Sequence, residues 1–296
     1  MSITLTQLRA FVAVAQTESV HRAAQRLFLT QPSVSAAIAA LARELGAPLL
    51  ERSGRGIRLT EAGRAFAPYA SEVLGLLEQG REAVKETARP ELSRVRVAAV
   101  TTAGEYLMPA LIRAYRERER DTEILLEIGN RKEVLEKVGS FHADIGIGGR
   151  PPSEHIVGRP FLPNDLIVAG AEVPKDLTQA TWLLREEGSG TRAATESYLV
   201  EHGIVPREVL TLGSNGAVKQ ALTLGLGITL ISEHAVLQEL RRGELVRIPA
   251  PGTPLRRSWY ALYARRVKLR PSARRFLAFL HSQEGKRAIE EAVGVA

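Results

Sequence analysis

Thr30-Gln31-Pro32-Ser33-Val34-Ser35 sets an amide and several hydroxyls within two helical turns. Val34, Ile38, Leu41 and Leu45 recur at helical spacing, which points them to a core. Thr30 suits the N-cap, Pro32 the first turn and Gly46 the stop. Gln31, Ser33 and Ser35 then fall on the outer side, where they can hydrogen-bond base edges and phosphate oxygens. This is the chemistry of reading a nucleic acid.

A second chemistry lies further along. Thr101-Thr102-Ala103-Gly104, Gly188-Ser189-Gly190-Thr191-Arg192 and Gly213-Ser214-Asn215-Gly216 each follow an apolar run and precede a helical pattern. Strand-to-helix turns of this type aim backbone N–H groups and small hydroxyls at an anion. A carboxylate, phosphate or sulfur oxyanion would fit, with Arg192 supplying charge. Asn130 and Gly148, after the neighbouring strands, join the candidates. Thr102, Ser189, Thr191, Ser214 and Asn215 could each serve as a plain N-cap; three converging loops favour a ligand over five separate caps.

Turnover finds little support. Gly188-Ser189-Gly190 lacks the spacing of a nucleophile elbow, Gly225-Leu226-Gly227 lacks the third glycine of a dinucleotide loop, and no Gly-Lys-Ser/Thr follows a glycine loop. The chain has no cysteine, and its six histidines show no metal-ligand spacing. No enzyme, no cofactor and no metal are expected.

The elements that must position the readers are short helices. A helix fits 5–16, with Leu5, Leu8, Val12 and Ala15 on one stripe and a Thr4/Gln7 capping box. Ser19 caps a second helix that buries Ala23, Ala24 and Leu27, the alanines allowing close helix approach. After the third helix, Leu49 to Leu59 reads as a hairpin with a glycine-rich tip, a wing bearing Arg52, Arg55 and Arg58. Residues 1–60 hold seven arginines against three glutamates, four of the chain's net seven positive charges. A basic helix-turn-helix with a basic wing implies a double-stranded DNA partner.

From Thr60 to about Arg89 one helix is predicted. Ala62, Phe66, Tyr69, Val73, Leu76, Gly80 and Ala83 alternate spacings of four and three, the seam of paired helices. At 1.5 Å per residue it would run about 45 Å. Pro68 bends it, Gly80 weakens it, and Pro90 ends it. Charged residues flank the seam, which favours pairing with a second copy over packing on its own domain.

Beyond Arg94 strands alternate with helices. Strands fit 95–100, 124–128, 143–147, 166–169, 182–185, 209–212 and 228–231. Helices fit 106–119, 133–138 and, as one long piece returning to the first α/β unit, 272–292. The pattern is α/β. No apolar run approaches 18 residues and no leader pattern opens the chain, so a cytoplasmic protein without membrane association is expected.

Leu8-Arg9-Ala10-Phe11, Ala23-Ala24, Thr30-Gln31-Pro32-Ser33-Val34-Ser35, Leu49-Leu50-Glu51-Arg52 and Leu59-Thr60-Glu61-Ala62-Gly63 together resemble the N-terminal domain of LysR-type transcriptional regulators. The likeness extends over the whole chain. It implies a winged helix-turn-helix DNA-binding domain over 1–60, a linker and dimerisation helix over 61–90, and an effector-binding domain over 91–296. It further implies that this last domain is a two-lobed clamshell like periplasmic solute-binding proteins. Lobe I would cover about 94–161 and 267–296, and lobe II about 162–266. A homodimer, pairing further into a tetramer, would bind promoter DNA under control of a small anionic metabolite between the lobes. The resemblance assigns DNA contact to Thr30, Gln31, Pro32, Ser33, Ser35, Arg52 and Arg55. Effector contact is expected, from the strand-to-helix turns, at Thr101, Thr102, Asn130, Gly148, Ser189, Gly190, Thr191, Arg192, Ser214 and Asn215. Where the family often carries Arg, Lys or Gln after the second recognition-helix serine, this chain has Ala36 and Ala37. Residues 185–192 and Gly225-Leu226-Gly227-Ile228 resemble the branches that regulate sulfur assimilation and carbon fixation, with Glu187 where those often have Pro. An α/β domain whose N-terminal helices serve only assembly, and an architectural DNA protein without effector, are the alternatives.

Overall fold

The computed structural model describes residues 2–54, 56–89, 91, 93–151 and 154–293. Two compact units emerge, Met1–Val84 with Ser140–His142, and Lys85–Gly139 with Ala143–Ala296.

In the first unit α1 (Leu5–Thr17), α2 (Val20–Leu27) and α3 (Gln31–Leu45) lead into a hairpin of β1 (Leu50–Ser53) and β2 (Gly56–Leu59). The capping box of Thr4 and Gln7 forms, Ser19 caps α2, and Thr30 caps α3. Gly46 closes α3 in the left-handed region at φ 70°, the conformation glycine adopts without cost. Phe11, Ala23, Val34, Leu41 and Leu49 are buried together. Two expected core positions are not: Leu5 is 43% and Leu45 36% exposed, because each lies in a helix's terminal turn, beyond the packed stripe. Arg55 lies outside the described residues.

The long helix α4 (Glu61–Ala88) runs through Pro68 as one element. Gly63 is required at its start, since a Cβ there would sit 2.0 Å from the Leu49 carbonyl oxygen. The expected seam divides. Ala62 and Phe66 pack on the core of their own unit, with the Phe66 and Phe11 rings 5.6 Å apart. Tyr69, Val73 and Leu76 are exposed.

In the second unit β3 (Arg94–Val100), α5 (Thr101–Tyr106), α6 (Met108–Arg118), β4 (Glu123–Gly129), α7 (Arg131–Gly139), β5 (Ile145–Gly148) and β6 (Ile156–Pro163) come first. There follow β7 (Leu166–Gly170), β8 (Thr181–Arg185), α8 (Gly190–Glu201), β9 (Glu208–Leu212), α9 (Asn215–Thr223), β10 (Thr229–Ser232), α10 (Glu233–Arg242) and β11 (Val246–Arg247). The chain then returns through β12 (Ser258–Ala264), α11 (Pro271–Leu280) and α12 (Gln283–Val293). One sheet has the order β4-β3-β5-β12-β6, parallel at β4-β3-β5 and antiparallel around β12. The other lobe joins β10-β7-β11 to the parallel pair β8-β9 through a Trp182–Ile228 bridge.

Three expectations are corrected. The segment 101–104 is not a loop: α5 starts directly at Thr101, and Leu107 separates it from α6, which carries Pro109 in its first turn. The single helix over 272–292 is two helices broken at His281-Ser282. There the Ser282 hydroxyl accepts from Gly285 N at 3.1 Å, and Gly285 passes close under the Phe279 carbonyl. Residues 258–264, placed from the sequence in the second lobe, form β12 inside the first sheet. Tyr115, Phe276 and Phe279 make the ring cluster under that sheet, so α11 covers the first lobe.

Candidate nucleic-acid interface and ligand cleft

In the first unit Thr30, Gln31, Pro32, Ser33 and Ser35 are all exposed at the start of α3, and Arg52 is exposed on β1. Their hydrogen bonds differ. The Thr30 hydroxyl accepts from Ser33 N at 3.4 Å and lies 2.8 Å from the Ser33 hydroxyl, so these two complete the cap. Gln31 bonds His21 of α2 at 3.0 Å, a residue not singled out from the sequence. Arg58 pairs with Glu51 across the wing at 2.8 Å, with both side chains largely in water; such a pair contributes little to stability.

In the second unit a cleft of 510 Å³ opens between the two sheets. Of the expected ligand residues, Thr101, Thr102, Asn130, Ser189, Gly190 and Thr191 line it. Ser189 caps α8 through Arg192 N at 3.4 Å, and Asn130 caps α7, exchanging bonds with Glu133 at 2.8 and 3.0 Å. Thr191 sits inside α8 and caps nothing.

Four expected residues do not line the cleft. Gly148 is buried within β5, and Gly149 reaches the cleft instead. Arg192 is turned aside, bonding Glu196 at 2.8 Å and the Arg185 carbonyl at 3.1 Å. It lines an adjoining hollow together with Glu187. Ser214 caps α9 through Ala217 N at 3.1 Å. Asn215 is 2% exposed and spans the lobes, donating to the Thr102 hydroxyl at 3.0 Å and accepting from Arg185 Nη1.

Arginines that sequence reasoning missed dominate the walls. Arg131, Arg150, Arg185, Arg256 and Arg257 line the cleft, and among the described residues no carboxylate does. Arg131 donates to the Arg150 carbonyl at 2.9 Å. Arg185 holds Glu186 through two bonds of 2.7 and 2.9 Å, and Arg256 lies 3.7 Å from Asp165. Desolvation lowers the Arg131 guanidinium's pKa, and the nearby charge of Arg257 lowers it further. Desolvation also lowers that of Arg257. A cluster of cations lining a cleft raises the local concentration of anions. A signal existed in the sequence: Arg256-Arg257 directly precedes the alternating run that becomes β12.

Among the described residues no helix is long and apolar enough to cross a membrane.

Residues 5–64 match the model of the bacterial regulatory helix-turn-helix proteins of the lysR family, and residues 88–284 match the LysR substrate binding domain. The HTH-type transcriptional activator CmpR of Synechocystis is 34% identical, with 99% of this chain and 98% of that protein covered. The regulatory domain of CcmR from Synechocystis PCC6803, solved in complex with 2-PG, superposes with TM-score 0.59 at 30% identity. It covers 64% of this chain and 96% of that one. Full-length CbnR, solved with its target DNA, shares the fold with TM-score 0.64 at 21% identity over 97% of this chain and all (100%) of its own.

Proposed function

This chain belongs to the LysR family of transcriptional regulators, and from that premise we propose that a small anion in the arginine-lined cleft sets its activity on DNA. The observation that carries the reading is the set of five cleft arginines with no carboxylate among the lining residues. Desolvation lowers the pKa of two of them, Arg131 and Arg257, and the charge of Arg257 lowers that of Arg131 further. An anion bridging them relieves both costs, and more than one negative charge serves better than one. The relative solved with 2-PG supports an anion of this kind. Thr101, Thr102, Asn130 and the α8 N-terminus at Ser189-Gly190-Thr191 supply hydroxyl, amide and backbone donors on the same walls.

The DNA-facing groups are Gln31, Pro32, Ser33, Ser35, Arg52 and, beyond the described residues, Arg55, with Thr30 holding the helix start. Residues 1–60 form the DNA-binding domain, 61–90 the linker and 91–296 the effector domain. The exposed apolar stripe Tyr69, Val73 and Leu76 on α4 supports a second copy of the chain as partner, with a tetramer built from two dimers. The effector must favour one arrangement of the lobes to change DNA binding.

Calorimetry with 2-PG, inorganic phosphate and glucose tests the cleft. Binding of an anion but not of glucose, lost in Arg131→Ala, supports it; equal heats for wild type and variant remove Arg131 from the site. Gel shifts with duplexes selected from a random pool test the DNA face. Specific retention with a steep salt dependence is expected.

A further inference from the structure

We propose that His21 fixes the side-chain amide of Gln31 and thereby makes Gln31 a reader of adenine. This rests on the reading of α3 as the DNA-facing helix.

The contact is between Gln31 Nε2 and His21 Nδ1, at 3.0 Å. An amide nitrogen only donates, so Nδ1 accepts and the imidazole carries its proton on Nε2. A primary amide has one acceptor oxygen and two N–H donors. With one N–H held by His21, the free edge presents Oε1 and the other N–H side by side. Adenine offers the complement in the major groove, a donor at N6 and an acceptor at N7. Turning the amide end for end would need the imidazole proton on Nδ1 instead, so the His21 tautomer and the amide orientation are set together. His21 protonated on Nε2 therefore selects the arrangement seen here.

The rest of α3 gives this contact its weight. From Pro32 to Ala42 its only polar side chains are Ser33 and Ser35, and Ala36, Ala37, Ala39 and Ala40 fill the positions between. The Ser33 hydroxyl is engaged with Thr30 at 2.8 Å. Gln31 is thus the one long hydrogen-bonding side chain in the first three turns of the helix. The cations beside His21 on α2 are directed elsewhere, Arg22 to the Thr17 carbonyl and Arg26 to Gln16 at 2.8 Å. His21 and Gln31 are both exposed, so the pair is available to a duplex as a unit.

The experiment is selection of duplexes from a randomised pool by the full-length chain, for wild type, Gln31→Ala, His21→Leu, His21→Asn and the double variant Gln31→Ala/His21→Leu. Thermal melting would verify that each variant is folded. The wild type should enrich adenine at one position of each half-site. Gln31→Ala should erase that preference and leave the other positions unchanged. His21→Leu should lower adenine enrichment at the same position by about tenfold, with the double variant no worse than Gln31→Ala. His21→Asn, whose Oδ1 accepts near the place of Nδ1, should restore it. If Gln31→Ala alters the selected sequence and His21→Leu does not, or alters a different position, the positioning role is wrong. An additional loss in the double variant would mean that His21 contacts DNA itself, which also overturns it. If Gln31→Ala changes nothing, the reading of α3 fails first, and this proposal with it.

Discussion

Asn215 donates to the Thr102 hydroxyl over 3.0 Å, which ties the first residue of α9 in one lobe to the second residue of α5 in the other. Both side chains are buried, at 2% and 7% exposure. Thr102→Val keeps the shape and removes the acceptor, leaving a buried amide N–H without its partner. The expected cost is about 1–3 kcal/mol, read by denaturant unfolding of the full chain. Thr102→Ser retains the hydroxyl and should lie close to wild type. If valine is as stable as serine here, the bond across the lobes contributes nothing.

The arginine pair in the cleft makes a prediction with two opposite signs. Arg257→Gln removes a charge that lowers the pKa of Arg131. The unliganded chain should melt at or above the wild-type temperature. The rise in melting temperature produced by an anion such as 2-PG should shrink in the same variant. A lower melting temperature without ligand would show that Arg257 supports the fold instead of binding.

Arg270 sits at 4% side-chain exposure between Glu86 at 3.0 Å and Asp144 at 2.7 Å. Glu86, in the last turn of α4, also accepts from the Ser272 backbone at 2.6 Å and from its hydroxyl at 2.9 Å. Removing the shared cation takes a charged partner from two buried carboxylates, although Asp144 keeps Arg96 at 3.1 Å and Glu86 keeps Ser272. Arg270→Met should cost about 3–5 kcal/mol, and Arg270→Met/Glu86→Gln should cost less than the sum of the singles. Strictly additive unfolding energies would deny the coupling.

Alkaline pH should expose Tyr115. Desolvation, with the charge of Glu119 adding, pushes its phenol from 10.0 up to about 12. The unfolded chain then ionises first, so stability falls as pH rises from about 10 to 12. The slope assignable to Tyr115 is at most about 1.4 kcal/mol per pH unit. Tyr115→Phe removes that part of the slope. At neutral pH the substitution should cost little, because among the described residues no group lies within ordinary hydrogen-bond geometry of the buried hydroxyl. Parallel stability curves for the two proteins above pH 10 would refute the assignment.

What the sequence made legible was local. Thr4 with Gln7, Ser19, Thr30 and Gly46 mark helix ends through bonds within a few residues, and each forms as read. Strand and helix alternation gave the α/β class. Contacts between distant segments were not legible. Arg131, Arg150 and Arg257 meet only because β12 returns between β5 and β6, and no periodicity encodes that return. Two local signals were also missed. The pairing of Arg192 with Glu196, one turn along α8, draws the guanidinium off the cleft, and Ser282 separates α11 from α12 through its own hydroxyl and not through a proline.

The path of β12 bears on synthesis. Its place between β5 and β6 stays vacant until the intervening 164–257 has been made, so the earlier lobe waits for the later one. During translation, where segments fold in the order they emerge, the second lobe can reach its native form while the first sheet still lacks the strand between β5 and β6. An unpaired edge on β5 is therefore the hazard that nascent chains of this protein carry to the ribosome exit.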